Sequence, residues 1–132
     1  MKKIRNIIAS TLIVLVCLFF LYYWGHLTYI DASHVDRISM NLSEEETAIF
    51  IKLFNEAKYV GVANGDGGTE RYTITVQYWD GSFLRISDFG GIKANFEITL
   101  CLWGGRSFVS HYIQSDELEA FIDEVHAKRN TP

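Results

Sequence analysis

Cysteine and histidine are the side chains here with the most capacity for chemistry, and they are few: Cys17, Cys101, His26, His34, His111 and His126. Cys101 and His111 share odd parity on neighbouring period-two runs. That parity sets them on one sheet face, where an imidazole can draw the proton from a thiol. No third group orients the histidine and no oxyanion donor accompanies the pair, so Cys101 is expected to be a small packing residue. His34 and Asp36 stand at i, i+2 and share a strand face, which brings two possible metal ligands together. A metal site needs three or four converging groups. No third is identifiable, so ordinary surface or capping histidines are expected. The run Asn64-Gly65-Asp66-Gly67-Gly68 looks like a calcium loop, but Gly68 and Thr75 fall where such a loop needs its later ligands. It also lacks the Lys-Ser/Thr of a phosphate loop, and a tight turn accounts for its glycines. With no nucleophile elbow, placeable carboxylate pair or zinc-protease motif, no enzyme activity, cofactor or metal is expected.

Recognition is the better-supported chemistry. The odd-numbered residues of the central period-two runs include Arg71, Gln77, Phe83, Arg85, Phe89, Lys93, Asn95 and Glu97. They set three bases against one acid on a polar sheet face. Phe83 and Phe89 are large apolar groups on that face, and Trp79 stands at its rim. Arginine and aromatic residues are the types enriched in interfaces and their hot spots. Arg71, Trp79, Phe83, Arg85, Phe89 and Lys93 are therefore the expected binding set, for a protein or an acidic ligand. The competing reading is a solvated face with ordinary cross-strand pairs, its two aromatics covered by loops or by the segment 59–63.

The elements that must hold this face are legible from periodicity. Residues 34–41 alternate weakly and predict a first strand. Ser43-Glu44-Glu45-Glu46 is a capping box, and its three acids suit a helix N-terminus. Ile49, Phe50, Leu53, Phe54 and Ala57 then follow at helical spacing, to about Lys58. A second helix is predicted from Ser115, with Leu118, Phe121, Ile122 and Val125 on one face and Lys128 and Arg129 at its end. Between the helices, 71–78, 83–89, 92–103 and 106–113 run with period two, as does a shorter stretch at 59–63. The intervals among the last four runs are too short for crossover helices, so an antiparallel meander is expected. Register follows from matching the even-numbered apolar sets. A three-residue loop, Trp79-Asp80-Gly81 with Gly81 left-handed, pairs Val76 with Leu84 and Ile74 with Ile86. The last strand is ambiguous, since Phe108/Tyr112 and Val109/Ile113 both make plausible inward sets. The expected fold is a two-layer α+β domain, a meander of four to six strands with two helices on one face, in the order β-α-(β)-β-β-β-β-α.

Ahead of that domain lies a different kind of segment. Lys2, Lys3 and Arg5 precede an uncharged run, 7–24, whose eighteen residues rise about 27 Å as a helix against a hydrocarbon core of about 30 Å. Its far end clusters Phe19, Phe20, Tyr22, Tyr23 and Trp24, the types that favour the headgroup region. The run is longer than a signal-peptide core and ends without a small-x-small site, so an uncleaved signal-anchor is expected. Residues 1–6 are then a cytoplasmic basic tip, 7–24 a single span through the bilayer, 25–30 a linker reaching about 20 Å, and 31–132 an extracytoplasmic domain. Residues 31–132 hold nine basic groups and all sixteen acids, a net −7, which leaves no electrostatic case for nucleic acid. One proline, ten glycines and 14% aromatics argue for a packed core over disorder.

The basic start, single apolar span, short strand and helix precede the meander with Tyr-Thr-Ile-Thr-Val-Gln-Tyr-Trp-Asp-Gly at 72–81. With the closing set Tyr112, Ser115, Glu117, Leu118, Phe121 and Ile122, the pattern resembles small envelope-anchored proteins of unknown function from Gram-positive bacteria. The resemblance implies a bacterial membrane protein with an anchored extracytoplasmic domain, and it brings no catalytic residues. The expected function is a membrane-tethered module that binds a partner through its open sheet face. The alternatives are an accessory protein acting through its transmembrane helix and a small envelope enzyme using Cys101 and His111.

Overall fold

The basic and apolar start folds as one helix, α1 (Lys2–Thr28), in a computed structural model that describes residues 1–63, 70–89, 94–102, 107 and 110–130, without the side chains of 22–28 and 130. Its segment Lys2–Leu21 is apolar and long enough to cross a membrane, and none of it is buried against the domain. Thr11, a polar residue inside this run, donates its hydroxyl to the Ile7 carbonyl (2.8 Å), which satisfies that hydrogen within the helix. The expected linker is shorter than six residues. Backbone 25–28 is helical, and Ile30 is fully buried in the core. Asn55 fixes that point twice, accepting from the Ile30 amide (2.7 Å) and donating to its carbonyl (3.0 Å). Between helix and domain only Tyr29 is neither helical nor buried.

A short 3-10 turn (Ala32–His34) leads into β1 (Val35–Ile38). Next comes α2 (Glu44–Asn55), with its capping box formed as expected: the Ser43 hydroxyl accepts from the Glu46 amide (3.1 Å) and Glu46 from the Ser43 amide (3.0 Å). The helix stops three residues short of Lys58, which opens β2 (Lys58–Val62). β3 (Tyr72–Tyr78), β4 (Phe83–Asp88), β5 (Phe96–Cys101) and β6 (His111–Gln114) follow, and α3 (Asp116–Asn130) closes the chain. Ser115 caps α3, accepting from the Leu118 amide (3.1 Å).

All six strands form one antiparallel sheet in the order β1-β3-β4-β5-β6-β2. The fold is therefore α+β, with three helices and a six-stranded sheet. Val76 lies opposite Leu84 and Ile74 opposite Ile86, and Gly81 alone among the described residues has positive φ (89°), as the three-residue loop requires. The even-numbered residues of β3, β4 and β5 pack under α2 and α3 with Phe50, Phe54, Leu118 and Ile122. Each such Leu, Ile or Phe contributes roughly 1.5–3 kcal/mol by leaving water. β1 and β2 extend the sheet at its two edges and do not cross its other side.

Candidate functional site

Strand alternation puts Gln77, Phe83, Arg85 and Thr99 on the side of the sheet away from α2 and α3, the outer side. Arg85 is exposed there, opposite Thr75 on β3 and Thr99 on β5. Phe83 is half-buried between Gln77 and Cys101. At the β1 edge Arg37 lies opposite Gln77 and donates to its side-chain oxygen through Nε (3.0 Å) and Nη2 (2.6 Å). Ser39 accepts from the Thr75 amide through its hydroxyl (2.9 Å). Arg37, Ser39, Thr75 and Gln77 line a cavity of about 410 Å³. A second cavity, of about 270 Å³, lies where Val35, Ile38, Met40, Leu42 and Ile51 meet between β1 and α2, and Arg37 borders this one too.

The five expected binding residues that the structure describes do not form one patch. Arg85 and Phe83 stand where the register places them. Phe89 is half-buried just past β4, its amide donating to the Asn95 carbonyl (2.9 Å). Trp79 is at the β3–β4 tip and 72% exposed, beyond the face. Lys93 lies outside the described residues, as does the glycine-rich run 64–68. Arg71 turns the other way: its Nη2 reaches Asp88 (3.0 Å), Glu119 (3.2 Å) and Asp123 (3.3 Å), tying the start of β3 to α3. The hydrogen bond to Asp88, which is fully buried, raises the guanidinium pKa further. Asn95 is also buried, accepting from the Ser115 amide (3.1 Å) and donating to Glu119 at the start of α3. Neither residue belongs to the outer side.

The charge balance shifts accordingly. Among the described residues the outer side carries Arg37, Lys58 and Arg85 against Glu70 and Glu97, so the positive bias is narrower than expected there. The Glu70 carboxylate accepts from Thr73, and this bond, the Ser87 hydroxyl and the charge of Arg85 hold its pKa below the usual value. Sequence reasoning missed Arg37. Its strand is expected from periodicity, but not the edge it joins, and the irregular pairing between Val35 and Arg37 breaks the parity that flags the other outer residues.

The possible catalytic pairs separate as well. His111 lies opposite Ile98, on the core side of the sheet, whereas Cys101 lies opposite Phe83 on the outer side. The sheet stands between them. Cys101 bridges to Ser107, one residue out of step with the Ile98–His111 register. That shift exchanges parity between the two strands. Cys101 is buried, and burial pushes its thiol pKa up, away from the reactive thiolate. His111 is 3% exposed with its ring 5.4 Å from that of Tyr59, and burial lowers its pKa to about 4. His34 faces Asp31 (3.6 Å), its neighbour within the 3-10 turn. Among the described residues no three His, Cys, Asp or Glu side chains are grouped to hold a metal ion.

Compared with protein-family models, with curated proteins and with solved structures, the chain matches none.

Proposed function

We propose that this chain is a membrane-tethered binding module that docks a protein through the outer side of its sheet, over β1, β3 and β4. Helix α1 is the tether. Its basic start stays on the cytoplasmic side by the positive-inside tendency, which leaves the domain on the extracytoplasmic side. The observation that carries the docking is the pair of cavities around Arg37, one on the outer side and one at the β1 edge, each lined by polar and apolar groups together. A partner seated there meets hydrogen-bonding groups and an apolar lining together, the usual composition of a specific interface. The mixed charge of the face suits a protein partner better than a small acidic ligand.

A photo-crosslinking side chain placed at Thr75 on the outer side, at Glu117 on the exposed side of α3, and at Val14 in α1 tests this in native membranes. A discrete adduct from Thr75, reduced severalfold by Arg37→Glu, is expected. An adduct from Val14 alone overturns the reading in favour of lateral pairing through the helix. Equal labelling from Thr75 and Glu117 removes any claim for this face.

A further inference from the structure

Trp79 is the most exposed aromatic side chain of the described domain, and it stands at a particular place. It tops the β3–β4 hairpin, and its amide donates to the carbonyl of His34 (3.1 Å). His34 is only six residues past Thr28, where α1 ends, so the tip lies within about 20 Å of the helix end by chain reach. β1 begins at that same end of the sheet, with Val35 opposite Tyr78. Tyr29, at the exit of α1, is 58% exposed.

The tip is built rather than loose. Gly81 donates to the Tyr78 carbonyl (3.1 Å) and the Tyr78 amide to the Ser82 carbonyl (2.9 Å). One Asp80 oxygen accepts from both the Ser82 amide (2.9 Å) and the Ser82 hydroxyl (2.5 Å). Four hydrogen bonds thus hold a turn whose largest side chain packs against almost nothing. An indole presented in this way has an apolar body and one N–H donor, which suits the boundary between headgroups and acyl chains. The span supplies that boundary at the right height. From Trp24, the last of the aromatic cluster, α1 continues only four residues to Thr28, about 6 Å of rise. The headgroup layer on each side of a bilayer is about 5–8 Å thick.

We infer that the Trp79 hairpin tip is a second membrane contact, its indole seated in the lipid headgroup region beside the exit of α1. This rests on the reading of α1 as a membrane span. Two attachments, one covalent and one at the tip, fix which end of the sheet meets the lipid, and leave the cavities around Arg37 facing sideways above the bilayer. Asp31, Asp36 and Asp80 lie on or beside this end, so the attraction comes from the indole and needs no anionic lipid.

The full chain carrying Trp24→Phe and Trp103→Phe, reconstituted in phosphatidylcholine vesicles, leaves Trp79 as the only indole. Flotation after alkaline carbonate washing reports the span, and quenching by headgroup-level spin-labelled lipid against aqueous iodide reports the tip. Trp79→Phe in the otherwise native chain gives the same information as a difference spectrum if the double variant folds poorly. The expected result is flotation, a blue-shifted Trp79 emission, severalfold stronger quenching by the lipid label than by a label deep in the acyl chains, and severalfold protection from iodide. Flotation with full iodide access and no lipid quenching overturns the tip contact alone. Failure to float overturns the span reading and this inference together. Lipid quenching that appears only when anionic lipid is added also overturns the inference, because the indole then is not what seats the tip.

Discussion

Arg85 and Ile86 are adjacent on β4 and live in opposite surroundings. Ile86 is fully buried under α2 and α3 between Ile74 and Ile98, while Arg85 lies in the open between Thr75 and Thr99. Both residues sit in a strand paired on its two sides, so the difference is one of side-chain environment. It separates the two tasks of the domain. The core side supplies the stability, through area removed from water, while the outer side mixes exposed Arg85 with buried Ser87, Thr99 and Cys101. The sharpest test substitutes these neighbours one at a time. Ile86→Ala should cost about 3–4 kcal/mol through lost burial and the cavity left behind. Arg85→Ala should stay within about 0.5 kcal/mol, as exposed substitutions do. Urea unfolding of the full chain in detergent measures both. A cost for Arg85→Ala approaching that of Ile86→Ala would show that the outer side is structural, and would remove the reason to regard it as a docking surface.

The separation is less strict at the end of the sheet beneath α3. Asp88 is a carboxylate on the core side with no exposure, and it is tolerable there because Arg71 reaches it while also meeting Glu119 and Asp123. Removing the guanidinium leaves a buried negative charge beside two more carboxylates. Arg71→Met should therefore cost about 2 kcal/mol. That is below the figure for a fully buried pair, since the Arg71 side chain remains 39% exposed and water screens part of the interaction. The loss should shrink when Asp88→Asn is combined with it, because the two residues share one interaction. Costs that simply add would mean that Arg71 acts through something other than Asp88.

Which parts of this arrangement can be read in the sequence follows from how each is determined. The β3–β4 pairing and its three-residue loop are legible because two alternating apolar sets must share a face, and only one loop length allows it. Both helices announce themselves through a cap and a periodic face, Ser43 to Phe54 and Ser115 to Val125. What is hidden depends on irregular or long-range events. The one-residue shift between the Cys101–Ser107 bridge and the Ile98–His111 pair reverses the parity of β6, so two residues of like numbering end on opposite sides. Arg71 looks like a member of the outer face until α3 brings Glu119 and Asp123 to it from 48 and 52 positions away. Arg37 looks like a solvated strand residue until β1 is found at the β3 edge. Phe83 and Arg85 of the expected binding set are positioned by local pattern alone, and both lie on the outer side.

His111 gives the most direct probe of the core side. It is a titratable ring on the core side, lying opposite Ile98 and against Tyr59. Burial disfavours its charged form and lowers its pKa to about 4, against 6.5 for the free side chain. Between those two values the unfolded chain binds the proton and the folded chain does not. Stability should therefore be at its full value above pH 6.5 and fall as pH drops through the window toward 4, where the contribution levels off. From pH 7 to pH 5 the loss from this one group is about 2 kcal/mol. His111→Leu should flatten the dependence in that window, leaving only the acid loss of depressed carboxylates such as Glu70, which begins at lower pH. Urea unfolding at pH 7, 6 and 5, with the His111 ring resonance followed by NMR, checks both sides of the cycle. A ring that titrates near 6.5 in the folded protein would mean that water reaches it, and that the core side of the sheet is not closed between β6 and β2.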